Sequence, residues 1–188
     1  CEVTVFFDTV LLRANRSKKI HIEDLHTFSS PNFEVLAEEK LTTRFAKLPR
    51  EQISRPTLKP TFDTRIQIVK AFPGAQVELQ SKARAVLVEG FGCGNLPMTD
   101  SLMLGFLKKC RQKKIPVVLG SQVAAGTLRP EIYEMGRRAL ELGAIPTLDM
   151  TFEAALVKSM ILIGNGVKYG DWPAGILSNW AGEISTPT

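Results

Sequence analysis

Residues 85–97 read Ala-Val-Leu-Val-Glu-Gly-Phe-Gly-Cys-Gly-Asn-Leu-Pro, a short apolar run that meets a glycine-rich stretch. Such a run, rich in valine and bounded by glycine, predicts a buried strand over Ala85–Val88. Apolar residues at helical spacing follow from Asp100 to about Lys113, and Thr99 stands where it can cap that helix. The order of strand, glycine-rich turn and helix is the unit from which parallel α/β sheets are built.

The same unit recurs along the chain. Apolar runs predict further strands at Arg65–Phe72, Ile115–Leu119 and Ala144–Leu148. A helix is predicted to start near Pro130, and another is predicted to run from a Thr151 cap to about Leu162. Three strand–helix units in succession imply parallel strands joined by right-handed crossovers. The fold class is therefore α/β, with a small parallel-sheet domain flanked by helices.

The first fifty residues have a different pattern. Two short strands are predicted at Val3–Phe7 and Val10–Arg13, and a short helix at Phe33–Glu39. A second short helix is predicted in the other part of the chain, at Gln76–Ser81. Because the chain opens directly on a strand, we expect its first part to be the remainder of an N-terminal α/β domain.

Prolines scattered among basic and polar residues, without periodicity, mark a connection between the two parts. The sequence thus predicts three segments: residues 1–48 as the remainder of an N-terminal domain, 49–62 as a linker, and 63–188 as a C-terminal domain.

Composition excludes several functional classes. The 188 residues carry a net charge of +5, and the densest basic group, at residues 108–114, fits a solvated helix end better than a phosphate-binding patch. No apolar run approaches the ~18 residues that a membrane span needs. The three cysteines are an odd count without paired spacing, which favours a reducing compartment. His21 and His26 have no partners at metal-ligand spacing, so neither a metal nor another cofactor is expected.

Ligands of open α/β sheets bind beyond the carboxyl ends of the strands. Three segments should lie there: Gly90–Pro97, Gly120–Gly126 and Asp149–Glu153. The first lacks the third glycine of a dinucleotide fingerprint. In the second, Ser121 and Gln122 offer a hydroxyl and an amide to a substrate amide or carboxylate, although both are also ordinary turn residues.

Several short motifs, in this order, resemble one family. They are Leu12-Arg13-Ala14-Asn15-Arg16-Ser17-Lys18-Lys19, Phe28-Ser29-Ser30-Pro31-Asn32-Phe33, Phe72-Pro73-Gly74, Phe91-Gly92-Cys93-Gly94-Asn95-Leu96-Pro97, Ser121-Gln122, Asp149-Met150-Thr151-Phe152-Glu153-Ala154-Ala155 and Ala181-Gly182-Glu183. The series is similar to that of the type I, cytosolic L-asparaginases of bacteria and animals, and it extends over essentially the whole chain. The chain departs from the family pattern at Ala14, where relatives have glycine.

The resemblance implies a two-domain α/β subunit assembled as a homodimer or homotetramer in the cytoplasm, with L-asparagine as the substrate. It implies a threonine nucleophile in a T-G-G-T segment, which the 188 residues do not contain. Of the supporting catalytic group only the lysine has a match, Lys19, and Asn95 is expected to bind substrate by completing the neighbouring subunit's site. Ser121 and Gln122 match a regulatory loop, in which Val123 stands where several relatives have cysteine.

We therefore expect part of an L-asparaginase that needs the missing N-terminal half of the enzyme for activity. Thr99-Asp100 has the sequence of the family's catalytic Thr–Asp dipeptide, but helix capping accounts for it and no catalytic role is expected. Three alternatives stay open. Cys1 could act as an N-terminal nucleophile of an Ntn-type amidohydrolase, the chain could be an oligomerisation or substrate-completing module without its own catalysis, or it could belong to a tRNA-dependent amidotransferase as one of its subunits. No nucleic acid and no membrane is expected as a partner.

Overall fold

The computed structural model describes residues 2–39, 44–45, 61–97 and 101–185. Nearly all of the predicted 49–62 linker lies outside these residues, as do Cys1 and the Thr99-Asp100 dipeptide. The division of the chain at this linker therefore stays a prediction.

The N-terminal part is built on a β-hairpin. Its strands β1 (Thr4–Phe7) and β2 (Val10–Arg13) lie where the sequence predicted strands, and they pair antiparallel. Asp8 and Thr9 both have positive φ, of 45° and 68°, which is the geometry of a tight two-residue hairpin turn. Among the residues that the structure describes here, β3 (Lys18–Lys19) pairs with β4 (Phe28–Ser29), and β5 (Ala37–Glu38) lies between β2 and β6 (Arg44–Phe45).

The helix predicted at Phe33–Glu39 is wrong, because this segment enters the antiparallel sheet. Leu36 and Glu39 donate backbone hydrogen bonds to the carbonyls of Leu11 and Thr9, at 2.8 and 2.7 Å. Pairing with β2 satisfies the backbone and buries Leu36, so tertiary contacts override the weak local helical preference.

The C-terminal part is a four-stranded parallel sheet with helices on its faces, which confirms the predicted fold class. The strands are β7 (Ile66–Lys70), β8 (Ala85–Gly90), β9 (Val117–Ser121) and β10 (Ala144–Pro146), in the spatial order β10-β9-β8-β7. The helices are α1 (Ser101–Gln112), α2 (Glu134–Glu141), α3 (Phe152–Gly164) and α4 (Trp172–Leu177). Thr151 caps α3 as expected, since its hydroxyl accepts a hydrogen bond from the amide of Ala154.

Alternate residues of the central strands enter two separate cores. On β8, Val86 and Val88 pack on one face against residues of α1 and α2, such as Met103. Ala85 and Leu87 pack on the other face against α3 and α4. A strand that is buried on both faces has apolar residues at successive positions, and this continuous run made β8 recognisable from the sequence.

The helix predicted at Gln76–Ser81 is also wrong, and Gln67 explains the extended conformation found there. The amide nitrogen of Gln67 donates to the carbonyl of Glu78 at 2.8 Å, and its amide oxygen accepts from the backbone N–H of Gln80 at 3.0 Å. These bonds use the backbone groups that a helical turn would need. Within the described ranges, no helix is long and apolar enough to cross a membrane.

Candidate functional site

A cavity of about 200 Å³ lies at the carboxyl edge of the parallel sheet. Its walls come from the loops after β8, β9 and β10, as the sequence predicted, and also from the N-terminal part, which contributes Lys18 and Asn32. Polar residues of this wall include Ser121 at the end of β9, and Thr147 and Thr151 after β10. The two parts of the chain therefore meet at the edge where open α/β sheets bind ligands.

The loop after β8 folds back on itself. The amides of Gly94 and Asn95 both donate to the carbonyl of Phe91, and the Phe91 amide donates to the carbonyl of Asn95 at 2.8 Å. At Gly90 a Cβ would lie 2.8 Å from that same Asn95 carbonyl oxygen, so the close turn requires glycine. The backbone of Asn95 is thereby fixed against the end of β8.

The side chain of Asn95 carries an unpaired acceptor. Its Oδ1 atom is buried and has no hydrogen-bond partner among the described residues. An unsatisfied buried acceptor costs roughly 1–3 kcal/mol, and a donor group from a ligand or another chain segment would remove that cost.

Ser121 and Gln122 differ in their surroundings. The Ser121 hydroxyl lines the cavity, donates to the Gly92 carbonyl at 2.6 Å and accepts from the Val123 amide at 2.9 Å. The Gln122 amide nitrogen instead donates to the carbonyl of Ala71 at 2.6 Å and, more weakly, to that of Glu89 at 3.2 Å. Gln122 thus ties the end of β9 to the ends of β7 and β8, and Ser121 is the one of the two that borders the cavity.

Two adjacent lysines occupy different positions. Lys18 lines the cavity, and its Nζ lies 3.2 Å from a carboxylate oxygen of Glu153 at the start of α3. Lys19 pairs through its backbone with Phe28 and has an exposed side chain. Within the described ranges, neither an ion pair nor a side-chain hydrogen bond engages Lys19, and the structure does not bring its side chain into the cavity.

Arg16 joins the N-terminal part to the loop before α3. Only 1% of this residue is exposed, and its guanidinium donates to Asp149 Oδ2 at 2.9 Å, to the Asp149 carbonyl at 3.0 Å and to the Ser185 hydroxyl at 2.8 Å. Burial acts to raise the pKa of Asp149, but hydrogen bonds from Ser185 and Arg16 outweigh it and hold that pKa below its ordinary value. The carboxylate is therefore ionised at neutral pH.

Asn32 forms a second connection between the two parts. Its amide nitrogen donates to the Asp149 carbonyl at 3.0 Å, and its amide oxygen accepts from the Gly126 amide at 2.6 Å. The side chain thus links the loop after β9 to the loop after β10, and both loops line the cavity. The described residues include no group of three or more His, Cys, Asp or Glu side chains that could hold a metal ion.

Sequence reasoning assigned no role to Arg16, Lys18 or Asn32. Arg16 and Asn32 lie inside motifs of the resemblance, which was the available signal, but their partners are 133 and 117 residues away. Lys18 gave no signal, because it stands beside a second lysine and its neighbours at the cavity come from distant loops.

Sequence and structure comparisons define the class of this protein. The family model for the glutaminase/asparaginase C-terminal domain matches residues 65–171, and that for the asparaginase N-terminal domain matches residues 1–50. The chain therefore belongs to the glutaminase/asparaginase family. Its resemblance to the type I L-asparaginases is confirmed by the relatives and structures that follow.

The chain is similar to an L-asparaginase of Thermococcus kodakarensis, at 33% identity over 96% of this chain and 56% of that protein. It is 28% identical to L-asparaginase 1 of Escherichia coli, over 98% of this chain and 56% of the relative. It is also 28% identical to a glutamyl-tRNA(Gln) amidotransferase subunit of Methanobrevibacter smithii, over 94% of this chain and 42% of the relative. The chain thus spans little more than half the length of these two asparaginases.

Solved structures give the same result. The crystal structure of L-asparaginase I from Vibrio cholerae matches with a TM-score of 0.86 and 29% identity, over 98% of this chain and 58% of that one. The thermostable L-asparaginase from Thermococcus kodakarensis matches with a TM-score of 0.89 and 28% identity, over 99% and 58% of the two chains. The arrangement of both parts of the chain is therefore that of an L-asparaginase.

Proposed function

We propose that the chain is part of an L-asparaginase, which hydrolyses the side-chain amide of L-asparagine to L-aspartate and ammonia. The observation that carries this proposal is its likeness to the Thermococcus kodakarensis L-asparaginase over 96% of the chain, at 33% identity. Because T-G-G-T does not occur in the 188 residues, the nucleophilic threonine comes from the missing N-terminal half of the same enzyme. On its own, the chain is inactive.

In this proposal Lys19 belongs to the catalytic group. Its ammonium polarises a threonine–aspartate pair of the N-terminal half, so that a threonine hydroxyl can attack the amide carbon. The exposure of Lys19, and the absence of an ion pair to it among the described residues, support this role, because the side chain is free to enter a site completed by other chain segments.

Asn95 binds substrate in the site of a neighbouring subunit. Its buried, unpaired Oδ1 supports a contact made only on assembly, since such an acceptor is costly when it stays unsatisfied. In this proposal the enzyme acts as a homodimer or homotetramer, as a site shared between subunits requires, and its location in the cytoplasm rests on the resemblance to the type I L-asparaginases.

Ser121 and Gln122 belong to a regulatory loop. Ser121 borders the cavity at the edge of the sheet, and Gln122 holds the loop to the neighbouring strand ends through the Ala71 carbonyl. Ligand contact at Ser121 and loop anchoring at Gln122 are therefore separate roles within one segment.

The second candidate is a component of a tRNA-dependent amidotransferase, favoured by the 28% identity to the Methanobrevibacter smithii amidotransferase polypeptide. The motifs Gly94-Asn95-Leu96-Pro97 and Asp149 to Ala155 favour an asparaginase that acts on free asparagine over the amidotransferase. A module without its own catalysis is the third candidate, and it predicts binding to other subunits without ammonia release under any condition.

Ammonia release separates the three. The purified chain is assayed with asparagine and with glutamine, alone and after addition of the N-terminal part of the Thermococcus kodakarensis enzyme, with that part alone as the control. We expect release from asparagine only in the mixture. Release from glutamine that depends on glutamyl-tRNA would favour the amidotransferase, and no release in any mixture would favour the module. Ammonia release by the chain alone would favour Cys1 as the nucleophile.

A further inference from the structure

A buried ion pair lies beneath the turn at residues 178–183. Lys158 of α3 and Glu183 are 3% and 5% exposed, and the Lys158 ammonium donates to a Glu183 carboxylate oxygen at 2.7 Å. The same ammonium donates to the Ser178 carbonyl. The Glu183 carboxylate in turn accepts from the backbone amides of Trp180 and Ala181, at 3.0 and 2.7 Å. The two side chains thus hold both ends of the turn.

Burial and hydrogen bonding together lower the pKa values of both groups. Desolvation lowers the pKa of Lys158, and the hydrogen bond to Glu183 offsets only part of that change. For Glu183, burial acts to raise the pKa, but the hydrogen bonds from Lys158 and from the backbone amides hold it below its ordinary value. The carboxylate therefore remains an acceptor for the turn at neutral pH.

The outer carbonyls of the turn bind the N-terminal part of the chain. The Ala181 carbonyl accepts from the Asn15 amide at 3.0 Å, and the Gly182 carbonyl accepts from Arg16 Nε at 2.9 Å and from Arg13 at 3.4 Å. Gly182 has a φ of 82°, a conformation that strains any other residue, and a Cβ there would also lie 2.6 Å from an Arg13 nitrogen. Three residues of the segment leading into Lys18–Lys19 are thus held by one turn.

Stability alone does not account for a buried pair of this kind. The cost of removing both charges from water offsets most of their attraction, and well-packed apolar residues often do as well. The charged pair instead fixes the conformation of the turn. One ammonium and one carboxylate together bind three of its backbone groups, those of Ser178, Trp180 and Ala181.

We propose that Lys158 and Glu183 are positioning residues, which fix the turn at 178–183 and through it the segment Ala14–Lys19. For its consequence in catalysis this inference rests on the proposed function, in which Lys19 belongs to the catalytic group. Neither Lys158 nor Glu183 touches substrate in this proposal, and both act through the carbonyls of Ala181 and Gly182.

Amide hydrogen exchange on the 188-residue chain tests the proposal without any catalysis. In Glu183→Gln, the backbone amides of Ala14, Ser17 and Ile20 should exchange at least about tenfold faster. The substitution removes the charge-assisted hydrogen bonds of the carboxylate, which fix the turn that holds this segment. The amides of β8 should exchange at their original rate. Glu134→Gln, the same change in an exposed pair with Arg138, is the control and should alter nothing. Unchanged exchange at Ala14, Ser17 and Ile20 in Glu183→Gln would overturn the proposal.

A double variant separates positioning from simple loss of stability. Lys158→Met with Glu183→Gln leaves no lone buried charge, so its thermal midpoint should lie above that of Lys158→Met alone. We expect the amides of residues 14–20 to keep their fast exchange in the double variant, because the Ser178 carbonyl has lost its donor. Exchange restored together with the thermal midpoint would mean that the pair only supports the fold, which contradicts the proposal.

Kinetics of the reconstituted enzyme test the consequence for catalysis. Glu183→Gln should lower kcat by about tenfold to hundredfold, as a misplaced catalytic group does, while KM stays within about twofold. If exchange changes but no reconstituted mixture releases ammonia, the positioning role stands and the proposed function fails. If the mixture is active and kcat is unchanged in Glu183→Gln, the link from the turn to Lys19 is wrong.

Discussion

The Arg16 guanidinium donates to the Asp149 carboxylate at 2.9 Å, across 133 residues of sequence, and both groups are almost completely buried. The pair joins the N-terminal part to the loop that precedes α3. Since Lys18 and Lys19 follow Arg16 closely, the position of both lysines relative to the parallel sheet depends on this contact.

Removal of Arg16 should therefore destabilise the whole chain. Arg16→Met leaves Asp149 as a buried charge without its partner, and we expect the free energy of unfolding to fall by about 3–5 kcal/mol. Arg138→Met, which removes an exposed partner of Glu134, is the control and should cost about 0–1 kcal/mol. Urea unfolding measures both. Equal losses in the two variants would contradict the account of Arg16.

Stability should fall in acid through Asp149. Its pKa is lower in the folded chain than the value of about 3.9 in the unfolded chain, so the unfolded state binds a proton first. The stabilisation is complete above the unfolded value and is lost as pH falls through the folded pKa. In Asp149→Asn, the decrease in stability between about pH 4 and pH 2 should be smaller, with a residual slope from Glu183. Identical pH profiles in urea unfolding would show that Asp149 is not the titrating group.

The helices and the parallel sheet were predictable because their signals are local. Strands β8 and β9 are apolar runs, and Thr151 caps α3 by a contact three residues away. The two wrong helices lie where distant partners decide the backbone: Gln67 binds the segment at Glu78–Gln80, and β2 pairs with Ala37 and Glu38. Local propensity does not report such pairing.

The candidate site was predictable only in part. The three loops at the carboxyl edge followed from topology, and they include Ser121, which borders the cavity. The role of Asn95 came from the family resemblance alone and stays a prediction. The separate surroundings of Lys18 and Lys19 did not follow, because adjacent residues of a strand point to opposite sides and nothing in the sequence fixes which side meets the cavity.

Gly105 offers a test of the helix geometry that is independent of function. It is exposed in the middle of α1, and a Cβ there would meet nothing within 4 Å. Gly105→Ala should raise the free energy of unfolding by roughly 0.5–1 kcal/mol, because alanine loses less backbone entropy in a helix. Loss of stability in thermal or urea unfolding would mean that this position is not a free helical surface.

Asn95 should contribute to substrate binding more than to the chemical step. In the reconstituted enzyme, Asn95→Ala should raise KM for asparagine more than it lowers kcat, since binding contacts formed in the ground state persist in the transition state. Asn165→Ala, at the end of α3, is the control, because it makes the same substitution outside the loop that follows β8. An unchanged KM in Asn95→Ala would count against its placement in a neighbouring subunit's site.

The proposed role of this chain is to supply a catalytic lysine for the hydrolysis of asparagine, and the kcat of two single variants measures that role. Lys19→Ala and Lys18→Ala are compared in the reconstituted enzyme, after circular dichroism has established that both are folded. We expect Lys19→Ala to lower kcat by about 10²–10⁴-fold. Lys18→Ala removes a side chain of the cavity wall and its partly exposed bridge to Glu153, and we expect kcat to stay within a few-fold of the parent. Near-normal turnover in Lys19→Ala would remove Lys19 from the site and contradict the account.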